Sequence, residues 1–318
     1  MLLFTGGKTG GHIMPLISLI EYTKEKSIYV GQYNNLEEKI CKNLNIEFVG
    51  FYLSDKKPTS IFKAYKQIKK KLLTKDITAV ISSGGLVSFI ACLFAIRYKK
   101  PLFLLEENVI LGSSNKILRP FCKKIFYAYQ PINKDKKGII TGLPIRNINL
   151  YPSTNNYDIL VIGGSLGSKI LCDVATYISK DYKVCLIAGR YYKDISKNKN
   201  LDVIEFSSNI FQLMKNSKLI IARAGASTTA EIFYINKPLI CIPSMNTKKN
   251  HQYYNAQFFQ QKKACFMCLE KNYKNDILKQ IQQILNNEAL RINMLEMQKK
   301  LVNYNAKQTI MSTIKENI

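Results

Sequence analysis

Residues 5–12 read Thr-Gly-Gly-Lys-Thr-Gly-Gly-His, four glycines and a histidine in one turn between an apolar strand and an apolar helix. Two phosphate-binding patterns come close and fail on spacing. A P-loop needs G-x-x-x-x-G-K-[ST]; Gly7-Lys8-Thr9 supplies its tail, but the leading glycine would fall at Leu2. A dinucleotide fingerprint needs G-x-G-x-x-G, and Gly6, Gly7, Gly10 and Gly11 do not stand at those intervals. The physics common to both remains. Glycines admit a ligand close to the main chain, and the first turn of the next helix offers unpaired N–H groups to anionic or polar atoms. A tight strand-to-helix turn that binds nothing is the alternative.

Further polar, glycine-rich loops follow apolar runs. ISSGGLVS carries Gly84, Gly85 and Ser88, and LLEENVILGSSN carries Glu106, Asn108 and Asn115. VIGGSLGSK opens a helix with Gly163, Gly164, Ser165 and Gly167, suited to a diphosphate. IARAGASTTAE offers Gly225, Ser227 and Thr228 at a helix start with Glu231 a turn later, and PSMNTKKNHQYYNAQ offers His251, Gln252 and Asn255. Singly, each reads as a helix cap. Several on the same edge of two sheets read as a site.

Short continuous apolar runs alternate with helical segments throughout. The first half gives strands at MLLFTGG, SIYVG, IEFVGF, ITAVISSGG, PLFLLEEN, KKIFYAY and GIITG; the second gives DILVIGG, YKVCLIAG, LDVIEF, KLIIARAG, PLICIPS and ACFMCLE. Such strands imply parallel sheets covered on both faces. Two series, each opening on its own glycine-rich turn, predict two doubly wound α/β domains. The expected break lies in LPIRNINLYPSTNNYD, residues 143–158, giving domains 1–147 and 148–318 with C-terminal helices able to pack back on the first. Ligands of open α/β sheets bind at the carboxyl ends of the strands, so loop ends facing each other would put the functional residues in a cleft between the domains.

The 318 residues are 47% hydrophobic, enough for two cores, and carry a formal charge of +25. There are 24 basic and 10 acidic residues up to residue 150 and 23 and 12 after it, net +14 and +11, so the excess is not a tail. It favours nucleic acid, anionic lipid or phosphorylated substrates. The plentiful Lys, Asn, Ile and Tyr also fit AT-biased coding without selection for charge. Most of the eight cysteines sit in apolar runs, as reduced core thiols of a cytosolic protein do, and the single C-x-x-C, Cys265 to Cys268, alternates like a strand rather than forming half a zinc site. Gly6 arrives too early for a signal peptide to precede the first strand, and the longest apolar run, 86–96, is too short to span a bilayer. A cytoplasmic chain is expected.

The segments TGGKTGGHIMP, SSGGLVS, LEENVILGSSN, TGLPIR, VIGGSLGSK, RAGASTTAE and HQYYNA occur in the order of one family. They resemble the MurG-type N-acetylglucosaminyltransferases of glycosyltransferase family 28, which convert lipid I to lipid II in peptidoglycan synthesis. The likeness runs from residue 3 to about 270. It implies the GT-B fold: two Rossmann-like domains across a cleft, an acceptor- and membrane-associating N-domain and a C-domain for UDP-N-acetylglucosamine (UDP-GlcNAc). It further implies donor contacts at Thr9, Gly10, Gly11, Asn108, Arg146, Ser165, Ala226, Ser227, Thr228, Thr229, Ala230, Glu231 and Gln252. These roles fit the chemistry: Glu231 can accept both ribose hydroxyls, and Arg146 can give a forked, charged contact.

His12 is then the candidate base for inverting transfer, which needs a group to take the acceptor's proton as the C1–O–phosphate bond breaks. Its place at a helix N-terminus predicts a neutral imidazole. The rival role is to hydrogen-bond and position the acceptor sugar. The chain departs from the family at Leu105 and Glu107, where the family often reads HEQN, and at Leu86, Ser207 and Asn250.

An enzyme acting on a polyprenyl-linked acceptor works at the bilayer, peripheral on the cytoplasmic face of the plasma (inner) membrane. Residues 56–75 hold eight lysines and one helical face of Ile61, Tyr65, Ile68 and Leu72. That fits a helix lying on anionic lipid or, equally, a core-facing amphipathic helix with a solvated lysine face. The run 86–96 followed by Arg97, Lys99 and Lys100 carries the same two readings. No cofactor or metal site is expected, a divalent ion being at most recruited by the phosphates. A GT-B transferase acting on another lipid such as diacylglycerol is the enzyme alternative. A basic RNA-binding protein is the non-enzyme one, though no RNA-binding module is visible and no nucleic-acid partner is expected.

Overall fold

Strand β1 (Leu2–Thr5) leads through the first glycine turn into α1 (Gly10–Tyr22), and this strand–loop–helix pattern then recurs. It continues through β2 (Ser27–Gln32), α2 (Leu36–Asn43), β3 (Glu47–Phe51), α3 (Pro58–Leu72), β4 (Ala79–Ser82), α4 (Gly85–Arg97), β5 (Leu102–Glu106), α5 (Ser113–Leu118), β6 (Lys124–Tyr127) and β7 (Gly138–Ile140). A second series runs β8 (Tyr157–Ile162), α6 (Lys169–Ile178), β9 (Val184–Ile187), β10 (Leu201–Ile204), α7 (Ile210–Lys215), β11 (Ser217–Ala222), α8 (Ala226–Ile235), β12 (Leu239–Cys241), α9 (His251–Gln261) and β13 (Phe266–Met267). Three helices close the chain: α10 (Tyr273–Asn286), α11 (Glu288–Leu301) and α12 (Ala306–Lys315). The computed structural model describes every residue except 8, 134, 149–155, 165, 166, 196, 197, 208 and 246, and the side chain of Lys248.

The chain divides into two units: Met1–Arg146 with Asn303–Ile318, and Asn147–Val302. Among the described residues the first unit holds a seven-stranded sheet in the order β3-β2-β1-β4-β5-β6-β7, and the second a six-stranded sheet, β10-β9-β8-β11-β12-β13. Every strand pair is parallel. Each strand expected from a continuous apolar run is present, because central strands such as Leu2–Phe4 and Ile159–Val161 are wholly buried between helical layers. The strand order reverses beside β1 in one sheet and beside β8 in the other. At such a reversal the loops of the two neighbouring strands diverge and leave a crevice at their carboxyl ends. Both crevices are flanked by the glycine loops.

The two candidate membrane segments pack differently from a lipid-facing reading. In α3, Ala64, Ile68 and Leu72 are fully buried, with Ile61 and Tyr65 packed on the same core. Burying Ile68 or Leu72 contributes about 1.5–3 kcal/mol each, and a bilayer could at best match that, so the stripe serves the core. Helix α4 buries residues around most of its circumference, Val87, Ile90, Ala91, Phe94 and Ala95 among them. What α3 leaves outside is its lysine face and Phe62, 56% exposed with Lys66 Nζ 4.6 Å from its ring centre.

Candidate functional site

At the carboxyl edge of the first sheet, Gly6 is held by close neighbours. A Cβ there would collide with Ser83 Oγ and lie 2.6 Å from the His12 carbonyl oxygen. The same Ser83 hydroxyl donates to that carbonyl at 2.6 Å, and Tyr29 OH donates to the Gly6 carbonyl at 2.8 Å. The ends of β1, β2 and β4 are thereby tied to the first turn of α1. Thr9 is the helix N-cap, extended at φ −133°, with no capping bond from its side chain, and Gly10 borders open space. This edge can receive a ligand against bare main chain.

Two adjacent carboxylates follow β5, with separate tasks. Glu106, 3% exposed, organises its own loop: Oε1 accepts from the Asn108 N–H (3.1 Å) and side-chain amide (3.3 Å), and Oε2 from the Gly112 N–H (2.8 Å) and Asn115 Nδ2 (2.9 Å). Burial nevertheless pushes its pKa up, against those hydrogen bonds. Glu107, 4% exposed, lies with Oε1 3.4 Å from His12 Nδ1. Burial pulls the His12 pKa down, but the charge of Glu107, with help from Glu106 and the Ser83 backbone, more than offsets it. The net direction is upward. The helix N-terminus disfavours the imidazolium, and the Glu107 carboxylate in contact with the ring opposes that effect.

The second sheet presents a different edge. Gly167, at φ +72°, approaches the Ala188 carbonyl so closely that a Cβ would strike it. Ser168, the N-cap of α6, accepts from Arg223 Nε at 3.1 Å. Arg223 Nη1 also donates to the Ile242 carbonyl (3.0 Å) and pairs with Glu270 (2.5 Å). One guanidinium thus joins the loop after β8 to the ends of β11 and β12 and the segment before α10. Gly225 caps α8, whose first two turns carry Ala226 to Glu231. Ala226, Thr229 and Ala230 are buried, with Ser227, Thr228 and Glu231 half-buried, and the Thr229 hydroxyl has no hydrogen-bond partner among the described residues.

Of the other expected contacts, Gln252 on α9 accepts the Ser244 N–H at 2.9 Å, and Asn255 donates to the Ala224 carbonyl at 3.1 Å, so both brace neighbouring loops. Arg146 is the last residue of the first unit's long segment and is half-buried. Gly11 follows Gly10 in the first turn of α1. Ser165 falls outside the described residues. Thr9, Gly10, Gly11, His12 and Asn108 share one unit's edge, and Ala226–Glu231 and Gln252 share the other's. Sequence reasoning passed over Ser83, Arg223 and the role of Glu107. Arg223 carried a usable signal, being a charge between an apolar strand and a glycine turn. The eight cysteines are buried free thiols, Cys265 and Cys268 among them. No cluster of His, Cys, Asp or Glu suited to a metal ion occurs among the described residues.

Comparison with known proteins bears on both edges. The glycosyltransferase family 28 N-terminal domain matches residues 2–127 and the family's C-terminal domain residues 158–314. A relative from a Sulfurihydrogenibium species is 32% identical over 87% of either chain; one from Finegoldia magna is 31% identical over 94% of this chain and 93% of its own. Both are named UDP-N-acetylglucosamine--N-acetylmuramyl-(pentapeptide) pyrophosphoryl-undecaprenol N-acetylglucosamine transferase. Among solved structures, the MurG of Acinetobacter baumannii superposes with a TM-score of 0.81 over 99% of each chain at 19% identity, a likeness of fold.

Proposed function

Because this chain belongs to glycosyltransferase family 28, with the two parallel-sheet domains of the GT-B fold, we propose that it transfers N-acetylglucosamine from UDP-GlcNAc to the 4-hydroxyl of the N-acetylmuramyl residue of lipid I, making lipid II with inversion at C1. The observation that carries this reading is the match of both halves to one family, each half with glycine loops at its strand-order reversal. His12 takes the proton of the acceptor hydroxyl as that oxygen bonds to C1. The C1–O bond to the diphosphate breaks with its electron pair, and UDP leaves.

The second unit's edge suits the donor. Neutral donors at the start of α8 and the glycine turn before α6 favour a nucleotide diphosphate, with Ser165 in that turn, and Glu231 can accept the ribose hydroxyls. Thr9, Gly10, Gly11, Asn108, Arg146 and Gln252 complete the donor contacts in this reading. The enzyme works at the cytoplasmic face of an anionic membrane, touching it peripherally through the α3 lysine face and Phe62. Among the described residues no helix is long and apolar enough to cross a membrane.

UDP release measured with lipid I and with diacylglycerol separates the acceptors; release only with diacylglycerol overturns the assignment. Calorimetry with UDP-GlcNAc, UDP-GalNAc and UDP-glucose tests the donor. UDP-GlcNAc should bind tightest, and Glu231→Ala should weaken it. Equal, weak binding of all three to both proteins overturns the donor assignment.

A further inference from the structure

We propose that Glu107 is a positioning residue for the transfer, its carboxylate holding His12 Nδ1–H so that Nε2 is the bare nitrogen offered to the acceptor alcohol. The inference rests on the transferase reading and adds to it a residue that the family motif does not assign. His12 Nδ1 has almost no surface of its own, while its side chain as a whole is 32% exposed. The exposed part of the side chain therefore lies away from Nδ1. Glu107 meets the buried edge at 3.4 Å and is itself 4% exposed, so neither group is free to reorient in water.

A neutral imidazole can carry its proton on either nitrogen, and a carboxylate beside Nδ1 fixes it there. When the acceptor O–H breaks, its proton goes to Nε2, and the resulting imidazolium sits against a full negative charge. The proton rests on the imidazole, and none is passed on to Glu107. An amide at position 107 could also accept from Nδ1–H, but it would bring no charge to the imidazolium.

Among the described residues, the other ionisable groups near His12 leave this pairing intact. Glu106 lies on the same loop and engages four donors of its own, and Glu37 of α2 stands behind Gly7. Tyr29 of β2 is committed to the Gly6 carbonyl. Helix α4 carries no charged residue before Arg97 at its far end, and Lys307 of α12 lies over Tyr22 at the opposite end of α1.

The chain has two histidines, so imidazole resonances of the full-length protein can be titrated by NMR, with His12→Ala assigning the His12 signal. In wild type His12 should titrate above the ordinary 6.5, and the acid limb of kcat should follow it. Glu107→Gln should move both down and lower kcat roughly tenfold, a part of the 10²–10⁴ a general base supplies, with KM for UDP-GlcNAc unchanged. On a His12→Ala background it should cost nothing further. Glu107→Asp, keeping the charge at shorter reach, should retain part of the upward shift and covers the case of a glutamine variant that does not fold. A His12 titration identical in wild type and either variant, or a full loss persisting without His12, overturns the proposal. Absence of any transfer by wild type would instead defeat the transferase reading, while the NMR titration still decides the pair.

Discussion

The loop edges of the two sheets share a topology and differ in chemistry. Around the turn from β1 to α1 stand ionisable side chains: His12, Glu106 and Glu107, with Tyr29 and Glu37 behind them. Around the turn from β8 to α6 stand groups that do not: glycine N–H, the hydroxyls of Ser168, Ser227 and Thr228, and a guanidinium locked to Glu270. In the proposed reading one edge moves a proton and the other holds an anion. A doubly wound sheet gives both the same crevice, and the residues after its strands decide the use.

The sharpest way to break that division is His12→Ala. It should lower kcat by roughly 10²–10⁴ while leaving the Kd for UDP-GlcNAc, by calorimetry, within error of wild type. A comparable loss of donor affinity would mean that the edges are not separate in function. Next, Arg223→Ala should cost about 3 kcal/mol in chemical denaturation, the low end for breaking a buried pair because Glu270 keeps some water. It should weaken UDP-GlcNAc binding and leave the midpoint of the pH–rate profile unmoved; a moved midpoint would tie this arginine to the proton chemistry.

Away from both edges, Lys66→Gln with Lys70→Gln should reduce pelleting with anionic vesicles by roughly 1 kcal/mol per lysine at low salt. Lys71 is unsuited to this test, since its Nζ bonds Tyr33 OH (2.9 Å) and the Gly50 carbonyl (3.2 Å). Unaltered pelleting would exclude the α3 face as the contact. The smallest effect concerns stability. Because the folded-state pKa of His12 is raised, its contribution is complete below about 6.5 and fades as pH rises through the folded value. Denaturation midpoints should record that decline in wild type and lose it in His12→Ala.

The sheets were legible because each strand is a continuous apolar run ended by turn residues, a pattern set locally. The glycine loops were legible for the same reason. The facing of the α3 stripe was not: Ile61, Tyr65, Ile68 and Leu72 line one face whether that face meets lipid or core, and only the packing against β3 and α4 decides it. Nor was the partner of His12, which lies 95 positions away and meets it only because β5 ends two strands from β1 in the sheet. Arg223 joins four segments that are separate in sequence, so its spacing held no hint of Glu270.

Helix α12 belongs to the first unit although the whole second unit precedes it in the chain. Its Ile310, Met311 and Ile314 are buried, and the helix packs on α1. During vectorial synthesis the site on α1 that receives these side chains stays bare while some 150 intervening residues emerge from the ribosome. The lobe made first is therefore completed last, and a nascent chain stalled near residue 302 would display a greasy seam for chaperones to cover.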